Sequence, residues 1–318
     1  MIIIRMSGGL ERQMFQYALY IKLLEMGREV KFDDISEPGD EKTMPIRLSV
    51  FGIEYPRATV EEINRYLDKD DRFKIKLKQL FVGRKANVYR EKGFFDPEVL
   101  KLDDVYLEGK FMSQKYFEDV LPKVRDIYSF PPVESLSLPP KANENFLIYY
   151  DEIMNSDSVS IHIRRSDSRY NEELYANICT IEYYQGAISY ILERYPDAKF
   201  YIFSNEPKWI KGVLKEILLG FVNKDMPNAE IRAFTDRFQI MEANDEYTSH
   251  LDMYLLSQCH HNILSNSSFS WWGAWMNDHK NKTVIAPSLW VNGTYSEDIY
   301  TPGMVLVNSK GRVEKKVK

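Results

Sequence analysis

The chain has 318 residues, and its 42 lysines and arginines against 47 aspartates and glutamates give a formal net charge of −5. Hydrophobic residues make up 44% and charged residues 28%, a composition typical of folded globular proteins that argues against extensive disorder. The slightly acidic balance also argues against a general nucleic-acid-binding protein, which needs a dense basic surface to neutralise phosphates.

The first half of the chain alternates strand-like and helix-like segments. Residues 2–4 form a short apolar run typical of a buried parallel strand, and Gly8 and Gly9 follow as a turn. Met14 and Ala18 then lie one helical turn apart. The predicted elements of this half are strands at 2–4, 29–33 and 105–111 and helices at 13–26, throughout the charged segment 61–92, and at 115–128.

A proline-rich segment at 129–142 separates the two halves. It predicts a domain boundary, with one domain at 1–140 and a second at 141–318, the size expected for a chain of this length. The predicted elements of the second half are strands at 159–163, 199–203, 231–234, 262–264 and 283–286, helices at 181–194, 249–258 and from Ser267, and a basic, disordered tail at 310–318.

Strand–helix alternation in both halves predicts an α/β protein with mainly parallel sheets. Parallel sheets bind ligands at the carboxyl ends of their strands, so we expect two such domains to face each other across one cleft. Cys179 and Cys259 are too few for a disulfide framework and fit a reducing compartment. The apolar start at 1–5 is too short for a signal peptide or a membrane span, which predicts a cytoplasmic protein without a transmembrane segment.

Candidate ligand-binding residues cluster in the second half, where all five tryptophans and all five histidines lie. His162, Arg164 and Arg165 end the strand predicted at 159–163, and an arginine fork there can grip a diphosphate. The alternative is that these arginines pair with structural carboxylates. Residues 266–275, NSSFSWWGAW, place Ser267, Ser268 and Phe269 at a strand-to-helix junction, where backbone N–H groups bind phosphate. The alternative for this segment is simple capping of a tryptophan-rich core helix.

Two further segments contain polar residues that can contact a ligand. Asp252 is a single carboxylate in an apolar helical stretch, and it can accept the two N–H groups of a guanine edge or bond a neighbouring loop. Ser204 and Asn205 follow the strand predicted at 199–203. They either contact a ligand at the carboxyl end of that strand or belong to an ordinary loop. The sequence contains no three-glycine dinucleotide pattern, no Walker pattern and no convincing metal-ligand spacing.

These residues occur within ordered blocks that resemble the bacterial α-1,2-fucosyltransferases of glycosyltransferase family 11. The family opens with GGLGNQMFQYA, and residues 8–18 read GGLERQMFQYA. The central HxRRGDY block becomes HIRRSDS at 162–168. The remaining blocks are IFSNE at 202–206, NSSFSWWGAW at 266–275, and VIAP at 284–287 followed by Trp290. The blocks cover nearly the whole chain in the expected order.

The resemblance implies a GT-B fold with two Rossmann-like domains and an inverting transfer of fucose from GDP-fucose to a glycan, with no cofactor and no metal. It implies that Arg164 stabilises the departing GDP and that Ser267, Ser268 and Phe269 line the diphosphate. Asp252 would contact the guanine, and His162 the nucleotide or the fucose. The implied partners are GDP-fucose and an oligosaccharide or lipid-linked acceptor, which fits a cytoplasmic protein or one peripheral at the inner face of the membrane.

The sequence departs from the family pattern near both proposed substrates. Glu11 and Arg12 replace a Gly-Asn pair, and Ser166 and Ser168 replace Gly and Tyr. We therefore place the acceptor near Gly8, Gly9, Glu11, Arg12 and Gln13. Inverting transfer needs a base for the acceptor hydroxyl, and Asp167, Glu172 and Glu11 remain alternatives.

Three functions are consistent with these patterns. One is α-1,2 fucosyl transfer to a galactose-type hydroxyl. The second is transfer from another GDP-sugar or to an altered acceptor, motivated by Glu11, Arg12 and Ser168. The third is a non-catalytic glycan-binding protein that uses an aromatic surface.

Overall fold

A computed structural model describes residues 1–36, 44–67, 87–136, 138, 140–164, 172–242 and 248–318, with the backbone alone at 140–144, 172 and 207. The chain forms two compact units, Met1–Ser129 and Phe130–Lys318. The second unit thus begins at the upstream end of the proline-rich segment 129–142. No helix within these described ranges combines the length and apolarity needed to cross a membrane.

The first unit contains a parallel sheet whose four described strands run in the order β2-β1-β4-β3. Ile2, Ile3 and Ile4 are fully buried in the central strand β1. The strands and helices described in this unit are β1 (Ile2–Arg5), α1 (Leu10–Glu25), β2 (Val30–Asp33), α2 (Val60–Leu67), β3 (Val88–Arg90), β4 (Val105–Glu108) and α3 (Leu121–Ile127). Short 3-10 helices lie at Leu48–Phe51, Pro97–Lys101, Gln114–Tyr116 and Glu118–Val120.

The second unit contains a sheet with seven described strands in the order β11-β10-β9-β8-β5-β6-β7. Every neighbouring pair is parallel except β10 and β11. The strands are β5 (Ser158–His162), β6 (Lys199–Phe203), β7 (Phe238–Ile240), β8 (His261–Ile263), β9 (Val284–Pro287), β10 (Val305–Val307) and β11 (Val313–Lys316). The helices are α4 (Pro140–Met154), α5 (Glu172–Tyr175), α6 (Ile181–Leu192), α7 (Pro207–Leu219), α8 (Asn228–Thr235), α9 (Ser249–Gln258) and α10 (Ser268–Met276), with 3-10 helices at Val133–Ser135 and Glu297–Ile299.

Helices cover both faces of this second sheet. Alternate residues of β6 enter two different hydrophobic clusters, because side chains along a strand alternate between its faces. Phe200 and Ile202 pack with Ile188 of α6, whereas Tyr201 and Phe203 pack with Leu255 of α9. A parallel sheet covered on both faces is the Rossmann-like arrangement, and the predicted α/β fold class with parallel sheets in both units is confirmed.

The order of the strands defines a switch point in the second sheet. From β5 the chain moves through β6 and β7 on one side, then returns to β8 on the other side of β5 and continues to β9 and β10. Ligands of open α/β sheets bind outside the carboxyl ends of the strands at such a point. The carboxyl ends of β5 and β8 are therefore where a ligand is expected.

Three predictions were wrong: the strand at 231–234, the helical segment 61–92 and the disordered tail. Residues 231–234 belong to helix α8, where Ile231 and Phe234 lie one turn apart, and the strand is β7. The segment 61–92 is not wholly helical, because Val88–Arg90 pairs as strand β3 with β4. Its basic residues Lys74, Lys76, Lys78, Arg84 and Lys85 lie outside the described ranges.

The basic tail is also ordered, contrary to the prediction of a disordered end. Strand β11 pairs antiparallel with β10 after a turn at Gly311, whose φ is +74°. The hydroxyl of Thr180 donates to the carbonyl of Ser309, and Gly186 of α6 packs against Gly311 so closely that a β-carbon on Gly186 would lie 2.1 Å from the Gly311 carbonyl oxygen. The unpaired edge of β10 and this close packing account for the order of the tail.

Candidate functional site

Two polar side chains meet at the switch point of the second sheet. His162 is the last residue of β5, and Ser265 stands two residues beyond β8. His162 Nδ1 and Ser265 Oγ are 2.7 Å apart, and both residues are buried. This hydrogen bond links the two strand ends, and sequence reasoning missed Ser265, although its position directly after a predicted strand is a usable signal.

His162 is neutral at physiological pH. Burial, helped by the nearby charge of Arg164, lowers the pKa of its imidazole to about 3. The ring packs against Phe269 of α10, with ring centroids 5.5 Å apart, and the Tyr184 hydroxyl donates to the His162 carbonyl at 3.1 Å. His162 is thus held as an uncharged hydrogen-bonding group, not as a cation.

Helix α10 begins at this same edge. Ser267 is its N-cap and has an extended backbone, and its side chain makes no capping hydrogen bond. The Ser267 hydroxyl oxygen is buried with no hydrogen-bond partner among the described residues. The first N–H groups of an α-helix have no intrahelical acceptor and carry the positive end of its dipole. The start of α10 at Ser267, Ser268 and Phe269 therefore has the features of a helix N-terminus that can bind an anion.

The turn that leads into α10 is fixed by neighbours. The Asn266 amide donates to the Trp290 carbonyl at 3.2 Å, and the Cys179 thiol donates to Asn266 Oδ1 at 3.6 Å. Burial raises the pKa of Cys179 to about 12, so it stays a protonated donor. The body of α10 is core, since Trp271 and Trp272 are fully buried. The alternative of a tryptophan-rich core helix is thus correct for the body of α10, whereas the Ser267 side chain makes no capping hydrogen bond at its start.

Arg164 lies two residues beyond β5 and is exposed. Within the described ranges, no carboxylate forms an ion pair with it. Among these residues, the structure therefore does not support the alternative that Arg164 pairs with a structural carboxylate. Arg165 and Asp167 lie outside the described residues, and Glu172 begins α5 with only its backbone described.

The remaining predicted donor contacts occupy neighbouring positions. Ser204 and Asn205 follow β6, the strand beside β5, and Ser204 Oγ accepts from the Glu206 N–H at 3.2 Å. Asp252 is half-buried in the first turn of α9. Since α9 leads directly into the amino end of β8, its first turn points toward the carboxyl edge of the sheet. The structure brings His162 and Phe269 into direct contact and puts the others on adjacent elements.

The predicted acceptor residues lie at the carboxyl edge of the first sheet. Gly8 has a φ of +76°, and a β-carbon there would lie 2.7 Å from Arg12 Cδ. A β-carbon on Gly9 would lie 2.7 Å from a carboxylate oxygen of Glu11. Glu11 and Arg12 therefore fold back over the glycine turn at the start of α1.

Gln13 is fully buried beneath that turn. Its amide nitrogen donates to the carbonyls of Gly8 and Pro45 at 2.8 and 3.0 Å, and its oxygen accepts from the Arg47 N–H at 2.9 Å. Both amide protons are used internally. Gln13 therefore acts on a ligand only through the loops that it joins.

No cluster of three or more His, Cys, Asp or Glu side chains among the described residues has the arrangement of a metal site. The rings of His260 and His279 are in contact in a tilted arrangement, with centroids 4.3 Å apart, next to the amino end of β8. They lie at the opposite edge of the sheet from His162.

Comparison with known proteins identifies the family. The family model described as glycosyl transferase family 11 matches residues 147–308, just over half of the chain. The chain belongs to glycosyl transferase family 11. It is therefore a glycosyltransferase, and the resemblance stated from the sequence is confirmed.

Two relatives and one solved structure match over most of the chain. An Escherichia coli alpha-1,2-colitosyltransferase is 28% identical over 304 residues, covering 91% of this chain and 92% of the relative. The Escherichia coli O-antigen biosynthesis glycosyltransferase WbnK is 28% identical over 313 residues, covering 91% and 94%. A solved structure of an Arabidopsis thaliana FUT1 mutant in complex with GDP is 13% identical, covers 89% of this chain and 69% of that one, and has a TM-score of 0.47.

Proposed function

We propose that this family 11 glycosyltransferase is an inverting enzyme that moves fucose from GDP-fucose to a galactose-type hydroxyl of a surface-glycan precursor, forming an α-1,2 linkage. The observation that carries the proposal is the Ser267 hydroxyl, which is buried without a partner among the described residues at the N-terminus of α10, beside the switch point of the second sheet. A buried polar group without a partner is costly, and a diphosphate oxygen would satisfy it.

The first role of this edge is to bind the diphosphate. The N–H groups at the start of α10 and the Ser267 hydroxyl would donate to phosphate oxygens, and Arg164 would add a permanent positive charge. These groups would stabilise the charge that develops on GDP as the bond to fucose breaks. Because protein groups supply this stabilisation, we expect no metal and no cofactor.

Asp252 and His162 would recognise the rest of the donor. A carboxylate suits guanine because it accepts from two adjacent N–H groups at once. The neutral imidazole of His162, held through Nδ1 by Ser265, would offer Nε2 to a fucose hydroxyl or a phosphate oxygen. Ser204 and Asn205, at the end of the neighbouring strand, would contact the nucleotide.

The chemical step transfers one proton and one sugar. A carboxylate removes the proton from the acceptor hydroxyl, its oxygen bonds to the anomeric carbon of fucose, and the bond from that carbon to the β-phosphate oxygen breaks. Inversion follows because the nucleophile attacks the face opposite the leaving GDP. Asp167, Glu172 and Glu11 are the candidate bases, and a separate substitution of each distinguishes them.

Colitosyl transfer is the second candidate. It is favoured by the name of the Escherichia coli relative, an alpha-1,2-colitosyltransferase that matches this chain over most of its length. The other relative's role in O-antigen biosynthesis supports a lipid-linked acceptor, which would place the enzyme in the cytoplasm or at the inner face of the membrane.

Nucleotide binding tests the donor assignment. Thermal shift with GDP, UDP, GDP-fucose, GDP-colitose and GDP-mannose should show stabilisation by GDP and its sugars, with the transferred sugar then identified by mass spectrometry. Asp252→Asn should weaken GDP binding. The control Asp236→Asn, at the exposed C-cap of helix α8, should not. Stronger stabilisation by UDP than by GDP would refute the guanine role of Asp252.

A further inference from the structure

Three loops meet at the carboxyl edge of the first sheet. One follows β1 and contains Ser7, Gly8 and Gly9, one follows β4 at residues 109–111, and one is the segment 45–47. Loops that join elements are normally the variable, mobile parts of a fold. Here three buried or largely buried polar side chains, Gln13, Gln16 and Glu91, hold them in place.

Gln16 joins the loops of two neighbouring strands. It is fully buried, its side-chain oxygen accepts from the Ser7 N–H at 3.1 Å, and its amide nitrogen donates to the Gly109 carbonyl at 3.0 Å. Gln13 joins the first loop to the third in the same way, through Gly8 and Pro45. Both glutamines project from α1, so one helix sets the positions of all three loops.

Glu91 holds the middle loop from the other side. It follows β3, and one carboxylate oxygen accepts from the N–H groups of Lys110 and Phe111, each at 2.8 Å. The other oxygen accepts from the Tyr116 hydroxyl at 2.8 Å. Phe111 has a φ of +52°, a left-handed conformation that is strained for a bulky residue. Such strain persists only where surrounding contacts enforce it, and it concentrates at functional sites.

The charge at this edge limits what it can bind. Glu11 lies in the first turn of α1 with its carboxylate next to Gly9, so it occupies the position where a helix N-terminus attracts anions. A diphosphate is disfavoured there by the like charge. A neutral, hydroxyl-rich ligand is not, because a carboxylate, a guanidinium and loop carbonyls all hydrogen-bond hydroxyl groups.

We propose that Gln13, Gln16 and Glu91 are positioning residues that preorganise this edge for a neutral acceptor sugar, which Glu11 and Arg12 contact directly. The inference rests on the proposed function, since it takes the donor to be a GDP-sugar bound by the second unit. Loops that are already fixed before binding lose little conformational freedom when the sugar binds, so less binding free energy is lost to ordering them.

The test separates acceptor use from donor use. Gln16→Leu removes the amide that joins two loops, and Gln185→Leu is the matched control, since the Gln185 amide donates to the Ile217 carbonyl at 3.0 Å in the second unit. For each variant we would measure KM and kcat with GDP-fucose and a β-galactoside disaccharide, hydrolysis of GDP-fucose without acceptor, and GDP affinity. Gln16→Leu should raise the acceptor KM by about tenfold or more and leave hydrolysis and GDP affinity within about twofold.

A second variant covers the case in which Gln16→Leu fails to fold. Glu91→Gln keeps the size of the side chain but weakens its acceptor capacity, and it should raise the acceptor KM by about threefold. Hydrogen exchange at Lys110 and Phe111 should accelerate in Glu91→Gln and not in Gln185→Leu. An unchanged acceptor KM despite faster exchange, or a parallel loss of hydrolysis and transfer, would overturn the positioning role. Absence of GDP binding in the wild-type protein would instead refute the proposed function.

Discussion

The carboxyl edges of the two sheets share a backbone motif but differ in charge. In each unit a parallel strand ends in a short loop that leads into a helix, α1 after β1 and α10 after β8. The first turn of α1 contains the carboxylate of Glu11, whereas α10 has no acidic residue in its first turn and begins with Ser267 and Ser268. The carboxylate of Glu11 therefore makes the N-terminus of α1 less favourable for an anion than that of α10.

The two edges also differ in how their buried polar groups are satisfied. Gln13 and Gln16 use their amides to bind loops of their own unit, whereas the Ser267 hydroxyl is buried without a partner among the described residues. A satisfied polar network stabilises one arrangement of the backbone. An unsatisfied group at a helix N-terminus is a position that a ligand can complete, which is why we assign the diphosphate to the second edge.

Arginine substitution should reveal the largest difference between the edges. Arg164→Ala is expected to lower kcat by about 100-fold or more, because it removes charge stabilisation of the leaving diphosphate. Arg12→Ala should change mainly the acceptor KM, by less than about tenfold. Steady-state kinetics with GDP-fucose and a β-galactoside measure both, with circular dichroism as the control for folding. Equal effects on kcat would remove the distinction between the edges.

Charge at α10 can make the second edge resemble the first. Ser267→Asp places another residue of high N-cap preference at the start of α10, so the helix should persist. Its carboxylate should nevertheless weaken GDP binding by about tenfold or more, since like charges at a binding site are costly. Ser267→Ala, which removes only a hydroxyl, should weaken it by about threefold. Calorimetric titration with GDP measures the affinity of each variant. A Ser267→Asp variant that binds GDP as well as the wild-type protein does would contradict the diphosphate site.

Acidification from pH 7 to pH 5 should affect the stability of the two units with opposite signs. In the second unit, burial lowers the pKa of His162 to about 3 and that of His261 to about 4. The unfolded chain then binds more protons than the folded one, so this contribution to stability falls as the pH drops below 6.5. The first unit contains no histidine.

In the first unit, burial raises the pKa of Glu91 to about 7. The folded state therefore binds more protons than the unfolded state between pH 7 and the ordinary carboxyl range, and this contribution rises as the pH falls through that window. Hydrogen exchange resolved by residue at pH 7, 6 and 5 measures each unit separately. Glu91→Gln should abolish the response of the first unit, and a loss of protection in both units with the same pH dependence would contradict the prediction.

The smallest expected effect concerns Glu11. Glu11→Gln keeps the side-chain size but removes its charge, so the N-terminus of α1 becomes available to anions. Millimolar inorganic phosphate should then raise the acceptor KM by about two- to fivefold, the size expected for one charge at a helix terminus. The acceptor KM of the wild-type protein should not respond to phosphate. A response of the wild-type protein would show that Glu11 does not exclude anions from the N-terminus of α1.

Local sequence patterns predicted most of the parallel strands. Apolar runs such as that at Ile2–Arg5 identify buried strands because both of their faces must be covered. Helix α9 was predicted with its observed bounds. The strand at 231–234 was wrong, because Ile231 and Phe234 are three residues apart, a spacing that puts them on one face of a helix and on opposite faces of a strand. Strands β10 and β11 form a local hairpin around Gly311, and β11 was missed because its exposed, charged residues lack the apolar pattern of a buried strand.

The candidate site divides along the same line. The residue types at Arg164 and at the start of α10 were sufficient to suggest a phosphate-binding sequence, and Asp252 was sufficient to suggest a guanine contact. The residue types at Cys179, Gln16 and Glu91 were not, because the importance of these residues lies in which distant atom each one contacts. No local pattern encodes a hydrogen bond between residues that are 93 positions apart, as Gln16 and Gly109 are.

The amino-acid sequence by itself determined the α/β alternation, the family to which the chain belongs, and the kinds of side chain that follow each strand. Periodicity and composition are local properties, so they can be read directly from it. Only the tertiary structure decided that β5 and β8 are neighbours across a switch point, that the Ser267 hydroxyl is buried without a described partner, and that Glu11 folds back onto the glycine turn. Burial and electrostatic environment depend on contacts between distant segments, and those contacts distinguish the two edges.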